Sequence, residues 1–156
     1  MRAYITSSLV VALLSFSFHA HSQTATVAEV VRAGTFKQVQ GEAWVGSATE
    51  RRPATPGEGV RVSQRISTGK TGAATLTLKD GTVLTVGPNS TMDLSAFEFN
   101  ATTQEGNFLL DLLQGTVRVV TGLVGKTNPE KFKVKTPTSV VGVRGTDFIV
   151  ETESVN

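Results

Sequence analysis

The feature that most constrains this chain is a two-residue hydrophobic period, interrupted at short intervals by turn-forming residues. Ala74, Leu76 and Leu78 alternate with Thr75 and Thr77. Successive side chains on a strand point to opposite faces, so this run presents one apolar face and one hydroxyl face. Asp80-Gly81 follows, a dipeptide suited to hairpin turns because it tolerates positive φ. Leu84 and Val86 then resume the apolar face. A plain two-residue turn at Asp80-Gly81 would set Leu78 opposite Val83 and throw Leu84 and Val86 onto the wrong face. Either the turn carries an extra residue or the strands meet at a corner.

The same grammar runs through most of the chain. Val39 to Val45 reads as a strand with Gly41 and Trp44 inside it, Gly46 to Gly59 as a loop, and Val60 to Ile66 as a second extended piece. Ser67 to Lys70 and Gly87 to Ser90 read as turns, with a short strand at Met92-Asp93-Leu94. Ala96 to Asn107 is a polar hairpin tip or loop. Phe108, Leu110 and Leu112 alternate, Gln114-Gly115 turns the chain, and Val117 and Val119 alternate again. Gly122 to Glu130 reads as a loop. Phe132 and Val134 alternate with Lys131, Lys133 and Lys135, a Thr136-Pro137 corner follows, and Phe148-Ile149-Val150 closes the series. Leu109, Leu110, Leu112 and Leu113 also fit a helical face, but Gly106 and Gly115 bracket only two turns of it. The expected fold class is all-β: short strands in a twisted solenoid-like or sandwich-like stack, with little or no helix after the N-terminal segment.

That N-terminal segment has the form of a signal peptide. Arg2 supplies positive charge, Leu9 to Phe18 is apolar but for Ser15 and Ser17, and Ala20-His21-Ser22 places small residues where a signal peptidase reads them. The apolar run is about half the roughly 20 residues a spanning helix needs, and no later segment is apolar enough to span. The expected organisation is a signal peptide at 1–22, an N-terminal extension at 23–36, a β domain at 37–151 and a tail at 152–156.

Cleavage after Ser22 removes Arg2 and leaves a net charge near +1, from 15 basic and 13 acidic residues in the whole chain. Such a balance gives no electrostatic reason to expect nucleic acid or an anionic membrane as partner. Both histidines, His19 and His21, also depart, and there is no cysteine. The exported chain therefore has no Ser-His-Asp or Cys-His nucleophile system and none of the usual zinc or copper ligand sets. No catalytic residue, cofactor site or metal site is expected. Ser67-Thr68-Gly69-Lys70 and Lys70-Thr71-Gly72 superficially match β-lactamase elements, but one lysine cannot serve both. Gly69-Lys70-Thr71 and Gly125-Lys126-Thr127 lack the upstream glycine of a phosphate loop. Asp80, Asp93, Asp111 and Asp147 are the carboxylates a glycosidase would need, without an aromatic cleft to go with them. The lysine stripe at 131, 133 and 135 reads as a solvated face or a guarded edge.

The order of these pieces resembles the FecR-like domain of bacterial envelope proteins. The marks are Arg52-Pro53 with Gly57 and Gly59; Ile66-Ser67-Thr68-Gly69; Leu76-Thr77-Leu78-Lys79-Asp80-Gly81-Thr82; and Gly87-Pro88-Asn89-Ser90. They continue with Leu112-Leu113-Gln114-Gly115-Thr116-Val117, Phe132-Lys133-Val134-Lys135-Thr136-Pro137 and Val143-Arg144-Gly145-Thr146-Asp147-Phe148. The resemblance covers Val39 to Glu151. It implies a periplasmic all-β module, and it singles out Asp80, Gly81, Gly115, Thr136, Pro137, Val143, Arg144, Gly145, Thr146 and Phe148 as signature positions with structural roles. Arg144 is expected to hold neighbouring carbonyls or a carboxylate rather than a ligand. The family's sensors of iron-siderophore signalling join such a module to a membrane helix and a sigma-factor-binding segment, neither of which is legible in this chain.

The function expected on these grounds is a non-enzymatic, exported protein-interaction or scaffold module of the cell envelope, acting through exposed strand edges or loops. The alternative is a binder of an envelope glycan or peptidoglycan, resting on Trp44 and the lysine stripe. The partner is an envelope protein or cell-wall component.

Overall fold

The computed structural model describes residues 31–143 and 146–153, and in them the chain is mostly strand. Twelve strands form one sheet that curls into a half-barrel. In order they are β1 (Arg32–Gln40), β2 (Ala43–Gly46), β3 (Arg51–Pro53), β4 (Gly59–Arg61), β5 (Arg65–Thr68) and β6 (Ala73–Leu78). They continue as β7 (Val83–Val86), β8 (Thr91–Phe99), β9 (Gly106–Val120), β10 (Phe132–Lys135), β11 (Val140–Gly142) and β12 (Asp147–Thr152). A short helix α1 (Leu123–Thr127) and a 3₁₀ turn (Pro129–Lys131) bridge β9 to β10. The all-β expectation holds, and no helix among the described residues is long and apolar enough to cross a membrane.

β9 organises the sheet. Its first part, Gly106 to Gln114, pairs antiparallel with β8, and Phe108 to Asp111 pairs on the other side, in parallel, with β10. Its last part pairs with β7 and with β12, both antiparallel. One half of the half-barrel therefore runs β3-β2-β5-β8-β9-β10-β11, and the other runs β4-β1-β6-β7-β9-β12. The apolar period has to change phase where the strand passes between halves. Phe108, Leu110 and Leu112 are buried at even positions, then Val117 and Val119 at odd ones. The register slips by one residue between the Thr91–Gln114 and Met92–Leu112 pairs, and Gly115 takes φ +85°. Gln114-Gly115 does not turn the chain back, as the sequence suggested; it kinks a continuous strand, the way sheet corners are built. The helical alternative at Leu109 to Leu113 is likewise excluded, because those residues lie inside β9.

Other glycine and polar positions break strands that the sequence read as continuous. Gly41, at φ +56°, separates β1 from β2, and Ser63, at φ +66°, separates β4 from β5. In both places the chain crosses from one half of the sheet to the other. The segment Gly46 to Gly59, read as loop, contains β3. The first strand starts at Arg32, inside the stretch read as an N-terminal extension, and its Ala33 and Phe36 are buried. The stretch Gly122 to Glu130, read as loop, holds α1.

The period-two reading of β6 holds: Ala74, Leu76 and Leu78 are buried, and Thr75 and Thr77 are half-buried on the other face. Leu76 pairs with Leu84 and Ala74 with Val86, and the Leu78 N–H donates to the Thr82 carbonyl at 2.8 Å. The Asp80-Gly81 turn is thus a three-residue hairpin loop, with the extra residue that was one of the two readings the register left open. It is not a corner. The two arms of the half-barrel enclose a continuous core in which Phe36, Phe108 and Phe132 are fully buried. Phe108 and Phe132 are register neighbours on β9 and β10 and stack with ring centroids 4.1 Å apart.

These two glycines, at nearly equal φ, differ in surroundings. A Cβ on Gly81 would meet open space, whereas one on Gly115 would press on Ser90, whose Cα lies 2.6 Å away. Gly81→Ala is expected to cost about 1 kcal/mol from backbone strain alone. Gly115→Ala is expected to cost about 3 kcal/mol, since overpacking adds to the same strain. Urea denaturation of both variants checks this, and equal losses would contradict the corner role of Gly115.

Candidate functional site

The signature positions fall into three groups. The first is a lock between the β6–β7 hairpin and the end of β9. Asp80 is buried, at 3% exposure. Its carboxylate accepts the Thr82 N–H at 2.9 Å, the Thr82 hydroxyl at 2.7 Å and the Val124 N–H at 3.2 Å. Its carbonyl accepts the Leu123 N–H at 2.8 Å, and the Thr82 hydroxyl oxygen accepts the Gly122 N–H at 3.0 Å. Gly81 supplies the φ of +84° that lets this loop close. The free amides that open α1 are in this way satisfied by a turn more than forty residues earlier. Gly115 belongs to a second lock: the Ser90 hydroxyl accepts the Thr116 N–H at 2.9 Å and lies within 3.2 Å of the Thr116 carbonyl.

The third group surrounds β11 and β12. Thr136-Pro137 opens the hairpin between β10 and β11: the Thr136 N–H donates to the Ser139 carbonyl at 2.8 Å, with Pro137 at the second turn position. The expected extended corner is therefore a tight turn. Val143 is buried, Phe148 is half-buried against the core, and the Thr146 carbonyl accepts the Thr121 N–H at 2.9 Å. Arg144 and Gly145 lie outside the described residues.

Each of the four candidate carboxylates has an internal hydrogen-bond or ion-pair partner. Asp80 serves the turn just described. Asp93 takes a bidentate ion pair from Arg65, with both contacts at 2.7 Å. That hydrogen bonding raises the Arg65 pKa further above its ordinary value. Asp111 accepts the Ser95 hydroxyl. Asp147 is held by Arg118 at 2.9 and 2.5 Å. No cluster of three or more metal-ligating side chains occurs among the described residues. Trp44 is half-buried, with the Arg51 guanidinium 4.8 Å over its ring. The lysine stripe is exposed, but β10 lies between β9 and β11, so it does not guard an edge.

The feature that sequence reasoning missed is the opening between β11 and β12. Each of these strands is hydrogen-bonded on one side only among the described residues, β11 to β10 and β12 to β9. A groove of about 490 Å³ lies between them, lined by Val141, Val143, Phe148, Val150 and their neighbours. Val140 and Ile149 beside it are 60% and 65% exposed. Free strand edges normally carry charge or distortion that discourages pairing; β12 carries Asp147 and Glu151, but Val140 and Val141 on β11 and Ile149 on β12 leave β-branched side chains exposed between them. The alternating Phe148 to Val150 run was legible as a strand, but its lack of a second partner was not.

The FecR protein family model matches residues 64–156, and the chain belongs to that family, whose members act in signalling. The match begins after β4, so β1 to β4 extend the sheet beyond the matched segment. No curated protein and no solved structure matches the chain.

Two outcomes are expected. Asp80→Ala strands the Val124 and Thr82 amides and should cost about 2–4 kcal/mol in denaturant unfolding, with lost exchange protection at Leu123 and Val124. A change within about 0.5 kcal/mol would sink the lock. Hydrogen bonding from Arg118 holds the Asp147 carboxyl below the usual aspartate range. A depressed folded pKa gives a contribution present above the unfolded pKa and lost as pH falls through the folded one. In a carboxyl NMR titration, Asp147 should titrate below an unpaired aspartate, and Arg118→Gln should bring it back. With the pair in solvent, overall stability should barely change.

Proposed function

We propose that this protein is a non-enzymatic interaction module of the bacterial periplasm, linked to cell-envelope signalling, that holds a protein partner along the open edge between β11 and β12. The observation that carries the reading is the pair of strand edges without a second partner among the described residues, flanking an apolar groove, with Val140, Val141 and Ile149 exposed. Main-chain hydrogen bonds along an edge supply affinity, and pockets for alternate side chains supply specificity. The commitment of Asp80, Asp93, Asp111 and Asp147 to internal partners supports a role without catalysis. Membership of a signalling family supports the signalling link. The signal-like segment Arg2 to Ser22 supports export.

A photo-crosslinking residue at Ile149 should capture an envelope protein in living cells, and one at Thr103, on the β8–β9 loop, should not. Fractionation of the same cells should recover the protein with the periplasm. Val141→Lys with Ile149→Lys should abolish capture while leaving unfolding within about 0.5 kcal/mol, since both side chains are substantially exposed. Capture at Thr103 alone, or capture untouched by the lysines, would contradict the proposed edge.

A further inference from the structure

We infer that the occupant of this edge is an extended segment of another protein that adds as a strand against β12, apolar at alternate positions and carrying Lys or Arg opposite Glu151. The inference rests on the interaction reading above and specifies its partner's chemistry.

The face pattern of the two edges sets the partner's pattern. Val141 is register partner to buried Val134, so it points into the half-barrel, as do Phe148 and Val150 on β12. A strand entering the groove must therefore present apolar side chains on its inward face, at every second residue. On the outward face β12 shows Asp147, Ile149 and Glu151, and β11 shows Val140 and Gly142. Asp147 is already neutralised by Arg118. Glu151 carries no ion pair among the described residues. Among the described residues the unneutralised charge on the outer face of β12 is thus negative, and a cation directly opposite it is the favourable cross-strand pair.

A second copy of the chain fits less well. Antiparallel self-pairing that keeps inward residues opposite inward ones and overlaps most of β12 centres on Ile149 or on Val150. The first sets Asp147 against Glu151 of the other copy, and the second sets Asp147 against Glu153. Each register places acid against acid twice, which disfavours pairing.

The test uses three labelled synthetic peptides titrated with the full chain: one alternating Val and Lys, one alternating Val and Glu, and a scramble of the first with the same composition. The alternating Val–Lys peptide should bind about tenfold more tightly than either of the others, and Glu151→Lys should shift that preference towards the Val–Glu peptide. Val141→Lys should remove binding of both alternating peptides, with circular dichroism confirming an unchanged fold. If the two alternating peptides bind alike, Glu151→Lys has no effect and Val141→Lys still removes binding, the edge stands and the basic partner is overturned. If the scramble binds as well as the alternating peptide, if Val141→Lys changes nothing, or if no peptide binds, strand addition at this edge is overturned together with the partner chemistry.

Discussion

The structure depends on one strand serving two halves of a curled sheet. β9 exchanges backbone hydrogen bonds with β8 and β10 along its first part and with β7 and β12 along its last. Both parts have to bury their apolar residues in the same core. A strict two-residue period cannot do that around a corner, because the strand rotates relative to the core as it bends. The bulge at Gln114-Gly115 inserts the one residue that restores the phase, and the positive φ of Gly115 permits it. Ser90, hydrogen-bonded to Thr116, occupies the volume where a Cβ would otherwise stand.

The Asp80 lock secures the far end of the same strand. A buried carboxylate without a cationic partner is costly unless its lone pairs are filled. Here Thr82 and Val124 fill them, and the loop carbonyl adds Leu123. The turn thereby caps the chain as it leaves β9 for the crossover that brings β10 back parallel to β9. That crossover places Phe132 on Phe108 and leads the chain into β11 and β12, where the sheet ends without closing among the described residues. The open edge between β11 and β12 is thus a consequence of how β9 is satisfied elsewhere.

Much of the strand content was legible because its signals are local. Ala74-Leu76-Leu78 and Phe132-Val134 alternate within a few residues, and the register at Asp80-Gly81 shows that a plain two-residue turn does not fit, leaving an extra loop residue or a corner. The site was less legible. Val140, Val141 and Ile149 read as ordinary strand residues, since exposure depends on which strands lie beside them. The reading of Gln114-Gly115 as a reversal failed for a related reason. A glycine at positive φ fits a turn and a bulge equally well, and the choice lies with Ser90 and β8, some twenty residues earlier.

By itself, the sequence determined the all-β class, the inward and outward faces of its clearest strands, the absence of histidine and cysteine chemistry after residue 22, and membership of the FecR family. Each of these follows from residue identity or short-range order. The tertiary structure alone decided that the strands form one half-barrel joined through β9, that the aspartates have internal partners, and that β11 and β12 each lack a second neighbouring strand among the described residues. The physical reason is that hydrogen-bond partners and burial are properties of chain segments distant in sequence. A strand's period tells which face is apolar, but only its neighbours decide whether that face and its backbone edge are covered.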